Sequence, residues 1–310
     1  MMAEPKFRWG YAIFILVLLL VMGFIAVGII SLFSGVDVES LEGNVAMIKI
    51  EGIILGTDNS GVLFDDSVYS LDIVDLIEEA DENPRIRAII FQINSPGGSA
   101  VASEEIADAV KKTNKTTVAW IRESGASGAY WIASSTDHIV ANRVSITGSI
   151  GVIASYLEFG NFLEDHNVTY RRLVAGKYKD IGSPFKEMTP EEELLFQQDL
   201  DLIRDYFVGE VAKNRKMSRK DVEKAANGLF YLGVQAKELG LVDELGGKDE
   251  VIAYIESREG ITADIVEYKT EQGFFEILSG AIGGQSFFIG KGIGSALLDA
   301  KPQTRLAITT

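Results

Sequence analysis

IRAIIFQINSPGGSAVASEEIADAVKKTNKTTVAWI, residues 86–121, contains a strand, a turn, a helix and a second strand in succession. IRAIIFQIN (86–94) is a nearly unbroken apolar run of strand length, as expected of a strand covered on both faces. NSPGGS (94–99) interrupts it with a proline and two glycines, the residues that punctuate chain direction. SEEIADAVKKT (103–113) spaces its apolar residues along one helical face, and TTVAWI (116–121) is again strand-like. A strand that returns through a helix predicts parallel pairing, because parallel neighbours need a crossover.

The same alternation extends in both directions. VAMIKIEGII (45–54) alternates apolar and polar residues as a strand does, and SLDIVDLIEEADEN (70–83) places Leu71, Val74 and Ile77 at helical spacing. ASGAYWIASS (126–135) predicts a short helix, DHIVAN (137–142) a strand, LEFGNFLEDHN (157–167) a helix and TYRRLVAG (169–176) a strand. Thr189-Pro190-Glu191-Glu192 is a strong helix start, with Thr as N-cap, Pro in the first turn and Glu three residues on. That helix is expected to run to about Arg215, and Ser218 opens another. The rhythm predicts an α/β fold over a single domain, 37–310. The tail GFFEILSGAIGGQSFFIGKGIGSALL (273–298) is glycine-broken and apolar, and suits core packing or a subunit contact.

Residues 1–36 differ in kind. No charge occurs from Trp9 to Val36, and Tyr11–Phe33 is almost purely apolar. As a helix those residues would span about 35 Å, enough for a hydrocarbon core of roughly 30 Å. The run is longer than a cleaved signal's apolar region, and no small-residue cleavage motif follows it. It predicts an uncleaved transmembrane anchor behind a short stub. Lys6 and Arg8 before it and Asp37, Glu39 and Glu42 after it predict a cytoplasmic N-terminus and an extracytoplasmic domain.

Composition narrows the chemistry. The 310 residues are 47% hydrophobic and 24% charged, with a net charge of −16. That acidity argues against nucleic acid as the main partner, since phosphate binding needs a basic face. There are no cysteines, which removes disulfides, thiol nucleophiles and cysteine-based metal sites.

Three loops carry candidate chemistry. In GASGAYWIASS (125–135), Ser127 sits among residues almost without side chains. Either backbones pack tightly there, or Gly125, Ala126, Gly128 and Ala129 let an extended peptide approach the hydroxyl. A serine needs a base to become a nucleophile. His138 falls in a predicted strand and His166 near a helix end, so neither suits a Ser-His-Asp triad. A neutral lysine is the alternative, which requires lowering a pKa of about 10.4 by about 3 units. AGKYKDIGSPFKEMTP (175–190) offers Lys179. If the segment is extended, Lys177 and Lys179 share a face and each disfavours charging the other, while Asp180 points the opposite way. The ordinary alternative is a solvated, protonated lysine. Gly97 and Gly98 leave bare backbone N–H groups at a strand-to-helix turn, which suits an oxyanion donor as well as a plain Pro-Gly turn.

Taken together, NSPGGS, ASGAYWIAS, TGSIGV (147–152), GKYKDIGSPF…MTPEE and GLFYLGVQAKELGLVDELGG (228–247) resemble the signal peptide peptidase A family, in its short, single-copy, membrane-anchored form. The resemblance covers nearly all of the outer portion. It implies a Clp protease/crotonase-like fold of stacked β-sheets with flanking helices, and a Ser/Lys dyad without cofactor or metal. On this sequence the nucleophile falls on Ser127 and the general base on Lys179. The oxyanion donors fall on Gly97 or Gly98 and on Gly128, and Ser149 is placed to orient Lys179. It further implies ring-shaped homo-oligomers, in which neighbours complete each other's sites, acting on signal peptide remnants and other unfolded or membrane-released peptides. Three other readings use the same fold: a crotonase-like hydratase, a stomatin-cleaving type of membrane Ser/Lys peptidase, and a non-catalytic extracytoplasmic scaffold.

Overall fold

The computed structural model describes residues 14–25, 43–56 and 67–269. Residues 14–25 form helix α1, with every side chain exposed. Among the described residues no helix is long and apolar enough to cross a membrane. The Tyr11–Phe33 stretch continues beyond them on both sides, and the tail 273–298 lies outside them.

Alternating apolar runs become a mostly parallel sheet. Its main path is β2 (Ser67–Tyr69), β1 (Val45–Leu55), β3 (Ala88–Gly98), β4 (Thr116–Ala126), β5 (His138–Ala141) and β8 (Glu244–Leu245). β9 (Ile265–Tyr268) adds to β1 on the edge that β2 also uses further along. The resemblance implies stacked sheets. Here the strands form one hydrogen-bonded network that divides at β4. Val118–Ile121 of β4 pair with β5, whereas Ser124–Ala126 pair with β6 (Ile146–Gly148), which in turn pairs antiparallel with β7 (Phe230–Leu232).

The period of two in β3 distributes the core. Ile89, Phe91 and Ile93 join one buried cluster with side chains of α2 (Ser70–Glu82), α3 (Ala100–Lys112) and α4 (Gly128–Ser134). Ala88 and Ile90 join a second cluster with Val251 and Ile255 of α9 (Lys248–Glu259). Helices therefore flank both faces of β3, which is why it lacks polar alternation. The helix α6 (Pro190–Asn214) starts where the sequence predicts: the Thr189 side chain accepts from the Glu192 N–H, and Glu192 reaches back to the N-cap. It is followed by α7 (Arg219–Ala225) and α8 (Gly233–Glu238).

Residues 152–189 depart from expectation. The helix predicted over 157–167 shrinks to α5 (Gly160–Asp165), and no strand forms over 169–176. Leu173 is 95% exposed and Ile153 89%. Thr169, Tyr170 and Val174 are strand-favouring residue types, but a strand needs a partner ladder, and this stretch pairs with none of the described strands.

Candidate active site

Strand ends place the nucleophile candidate. Ser127 follows the last residue of β4 and precedes the first of α4, at the carboxyl edge of the parallel sheet, where α/β folds expose their functional loops. Its backbone turns sharply, with φ 54° and ψ −124°, a conformation that costs a non-glycine residue on the order of 1–3 kcal/mol and must be held by its surroundings. The Ser127 N–H donates to the Gly148 carbonyl at 2.8 Å, and its carbonyl accepts from the Trp131 N–H at 3.0 Å. The result is a strand–turn–helix elbow that presents the hydroxyl outward.

The small neighbours serve packing, the first of the two readings their size allows. Gly125, Ala126, Gly128 and Ala129 are all buried, and only Ser127 is partly open. A Cβ on Gly125 would meet the Ile121 side chain at 2.9 Å, and one on Gly128 would overlap the Ser103 hydroxyl. These glycines let β4 and α4 seat against the core, so the elbow can close.

NSPGGS meets the elbow from β3. The β3–β4 ladder shifts register between Ile93 and Ser95, and Ser124 closes the gap by donating its hydroxyl to the Ser95 carbonyl at 3.1 Å. Gly97 has φ +100°, and a Cβ there would lie 2.7 Å from Gly128 N and 2.9 Å from Ser127 Cβ. The structure separates the two glycine candidates. The Gly97 N–H donates to the buried Ser95 hydroxyl at 3.1 Å and is already engaged. The Ser99 N–H donates to the Ile54 carbonyl at 2.8 Å, so β1 pairs around Gly98 and leaves the Gly98 N–H on the Ser127 side of β3. Gly98 N lies 3.4 Å from the point where a Gly128 Cβ would sit. Gly128 is the first residue of α4, whose leading N–H groups have no intrahelical acceptor. Gly98 and Gly128 thus offer two backbone donors beside one hydroxyl. The Ser95 hydroxyl, which sequence reasoning did not single out, selects between the candidates.

Ser127 opens into a cleft of about 760 Å³. One wall is Trp131, stacked on Phe207 of α6 with ring centroids 4.7 Å apart and planes 11° apart. Ser149 lines the same cleft, but its hydroxyl donates to the Gly228 carbonyl at 3.3 Å rather than to a lysine. Neither histidine reaches this cleft. His138 stacks on Tyr254 at 3.9 Å with Nε2 3.3 Å from Glu244, and His166 Nδ1 lies 2.8 Å from the Phe162 carbonyl.

Lys179 is exposed in the 152–189 segment and is not among the residues lining the Ser127 cleft. Its segment is turned, not extended: the Lys179 N–H donates to the Gly176 carbonyl at 3.2 Å and the Ile181 N–H to the Tyr178 carbonyl at 3.2 Å. The expected mutual repulsion of Lys177 and Lys179 does not form. Lys177 Nζ binds both oxygens of Glu191 at 2.7 Å, and that carboxylate holds the Lys177 amine above its ordinary pKa. Lys186 is likewise held by Glu192, at 2.7 and 2.9 Å. Of the three lysines in this segment, Lys179 alone makes no side-chain hydrogen bond or ion pair among the described residues. The extended chain expected to point Asp180 away is absent, and its carboxylate is instead engaged in a two-pronged contact with Arg172.

A hydroxyl on a strained elbow, beside two backbone donors and open to a cleft, is an arrangement suited to acyl transfer. The comparisons give the family. The profile described as Peptidase family S49 matches residues 109–262. A protein named as a protease from Methanocaldococcus jannaschii is 34% identical over 229 residues, covering 72% of this chain and 71% of that one. One named as a signal peptide peptidase SppA from Enterococcus faecium is 31% identical over 231 residues, covering 73% and 67%. Among solved structures, a mutant of the membrane-bound stomatin-specific protease 1510-N aligns with TM-score 0.46 at 13% identity, covering 74% of this chain and 99% of that one. The chain belongs to peptidase family S49 and is an SppA-like peptidase.

Proposed function

We propose that this peptidase is a membrane-anchored serine endopeptidase that degrades signal peptide remnants and other unfolded or membrane-released peptides. The observation that carries the proposal is the Ser127 elbow, with its positive φ and the N–H groups of Gly98 and Gly128 beside it. Ser127 Oγ attacks the scissile carbonyl carbon while Lys179 Nζ takes the hydroxyl proton. The developing oxyanion accepts from Gly98 and Gly128. Collapse breaks the C–N bond, and Lys179 returns the proton to the leaving amine. Water, deprotonated by the same amine, then attacks the acyl carbon; the bond to Ser127 Oγ breaks, and Lys179 returns the proton to that oxygen as the acid leaves. The apolar wall of Trp131 and Phe207 suits an apolar side chain beside the cut.

Lys179 stands apart from the Ser127 cleft on a segment rich in exposed apolar side chains. This favours a dyad completed by a neighbouring copy of the chain in a ring. The apolar Tyr11–Phe33 stretch supports a single-pass anchor with an extracytoplasmic peptidase domain.

Treating the full chain with a peptide aldehyde or a serine-directed phosphonate and mapping the adduct tests the assignment. A single adduct on Ser127, with loss of peptide hydrolysis, is expected. An inhibited enzyme modified at another residue, or undiminished hydrolysis by Ser127→Ala, would refute it.

A further inference from the structure

A lysine base has one obvious local hazard, the carboxylate of Asp180 next to it in the chain. A carboxylate within reach of an amine stabilises the ammonium and removes the base. The structure shows what occupies that carboxylate. Arg172 Nε and Nη2 donate to its two oxygens at 2.5 and 2.7 Å. Arg172 Nη2 also donates to the Lys177 carbonyl at 3.3 Å. One guanidinium therefore grips the chain on both sides of Lys179, two residues before it and one after.

We propose that Arg172 is a positioning residue for Lys179, which sequesters the Asp180 carboxylate and fixes the 177–180 turn so that the amine has no local acid partner. This rests on the reading of Lys179 as general base. Two acids at the start of α6 are already matched. Glu191 of α6 is taken by Lys177 and accepts the Tyr178 hydroxyl at 2.5 Å, and Glu192 of α6 is taken by Lys186. Asp180 is the remaining acid on this turn, and Arg172 is its side-chain partner. The hydrogen bonds from Arg172 hold the Asp180 carboxyl below its ordinary value, as a fully ionised, fully engaged carboxylate requires. The planar fork matters here. A lysine at 172 could supply charge, but could not bind two oxygens and a carbonyl from one rigid plane.

The test is the pH profile of kcat/KM for a peptide substrate, measured on the full-length protein. Arg172→Ala frees Asp180 to pair with Lys179, so the acid limb should move up by about one unit, with about a tenfold loss at neutral pH that higher pH recovers. Adding Asp180→Asn to Arg172→Ala should bring the limb back towards the parent. A purely structural role for Arg172 would lower activity at every pH, and Asp180→Asn would not restore it. If Arg172→Ala does not fold, Arg172→Lys reads the same quantity, with a smaller upward shift that Asp180→Asn cancels. An unmoved limb in the single variant, or no return in the double, overturns the proposal. Lys179→Ala separates this failure from that of the parent reading. Full activity in Lys179→Ala would remove the base assignment itself, whereas an inactive Lys179→Ala with an unmoved Arg172 profile removes only the role of Arg172.

Discussion

Around Ser127 the neighbouring residues are buried, and the backbone is bonded to the sheet by Gly148 of β6 and to helix α4 through Trp131. Around Lys179 the residues are exposed, belong to no sheet, and are held by ion pairs of the kind formed by Arg172 with Asp180 and Lys177 with Glu191. The two candidate partners thus occupy two kinds of structure. The fold of one chain builds the Ser127 elbow and sets the proposed donors Gly98 and Gly128 beside it. Lys179 rides on a segment with uncovered apolar side chains, and the proposed dyad requires a neighbouring chain to dock there. Strain can be stored at Ser127 because packed strands resist it. A surface turn held by ion pairs can be moved or remodelled at small energetic cost.

The largest effect is expected from Ser127→Ala, which should lower kcat by about 10³-fold or more while leaving the thermal midpoint in place or raising it, since alanine removes the reactive group and not the elbow. Next, Ser127→Ala and Lys179→Ala proteins, each inactive alone, should recover activity when dissociated and reassembled together. If sites form between neighbours, random pairing in a closed ring gives on the order of a quarter of parental activity. No recovery from mixed assemblies would place both groups in one chain and erase the contrast. Third, Gly97→Ala should destabilise the sheet side. Its φ of +100° and the 2.7–2.9 Å approaches to Gly128, Ala126 and Ser127 leave no room for a methyl. The conformational strain alone is about 1–3 kcal/mol, read as a lower thermal midpoint together with lost activity.

Much of this division is legible in the sequence, for physical reasons. IRAIIFQIN, TTVAWI and DHIVAN declare buried parallel strands because both faces are covered, and a continuous apolar run has few other uses. Thr189-Pro190-Glu191-Glu192 declares its cap because the orphan N–H groups of a helix start have a narrow set of chemical solutions. The loops NSPGGS and GASGAY are recognisable as glycine turns, and their convergence at Ser127 follows from adjacent parallel strands. TYRRLVAG misleads because β-branched and aromatic residues record only a local preference, and the stretch pairs with none of the described strands. The Ser95 hydroxyl on the Gly97 N–H, the overlap of Gly128 with Ser103 and the Arg172 fork were not legible. Each depends on a tertiary approach that composition and spacing do not encode.

Two smaller effects probe the junction between the regions. Thr189→Ala removes the cap that begins α6 and should cost about 1 kcal/mol, seen as a modest fall in the unfolding midpoint. Acid should loosen the same junction. Hydrogen bonds from Lys186 and the Thr189 N–H hold Glu192 at about 2, against an ordinary 4.5. Its folded pKa is depressed, so its contribution to stability is complete above about pH 4.5 and is lost as pH falls towards 2. Glu192→Gln should flatten that part of the stability profile, measured by denaturant unfolding between pH 2 and 6.

The central claim is that the amine of Lys179 activates the hydroxyl of Ser127. The most direct measurement is the rate at which a fluorophosphonate acylates Ser127 across pH 6 to 10, followed by intact mass in the assembled parent and in Lys179→Ala. The account predicts labelling in the parent that rises with a single titrating group, and labelling slowed by roughly 10²-fold or more, with that titration absent, in Lys179→Ala. Equal rates and equal pH dependence in the two proteins would contradict it.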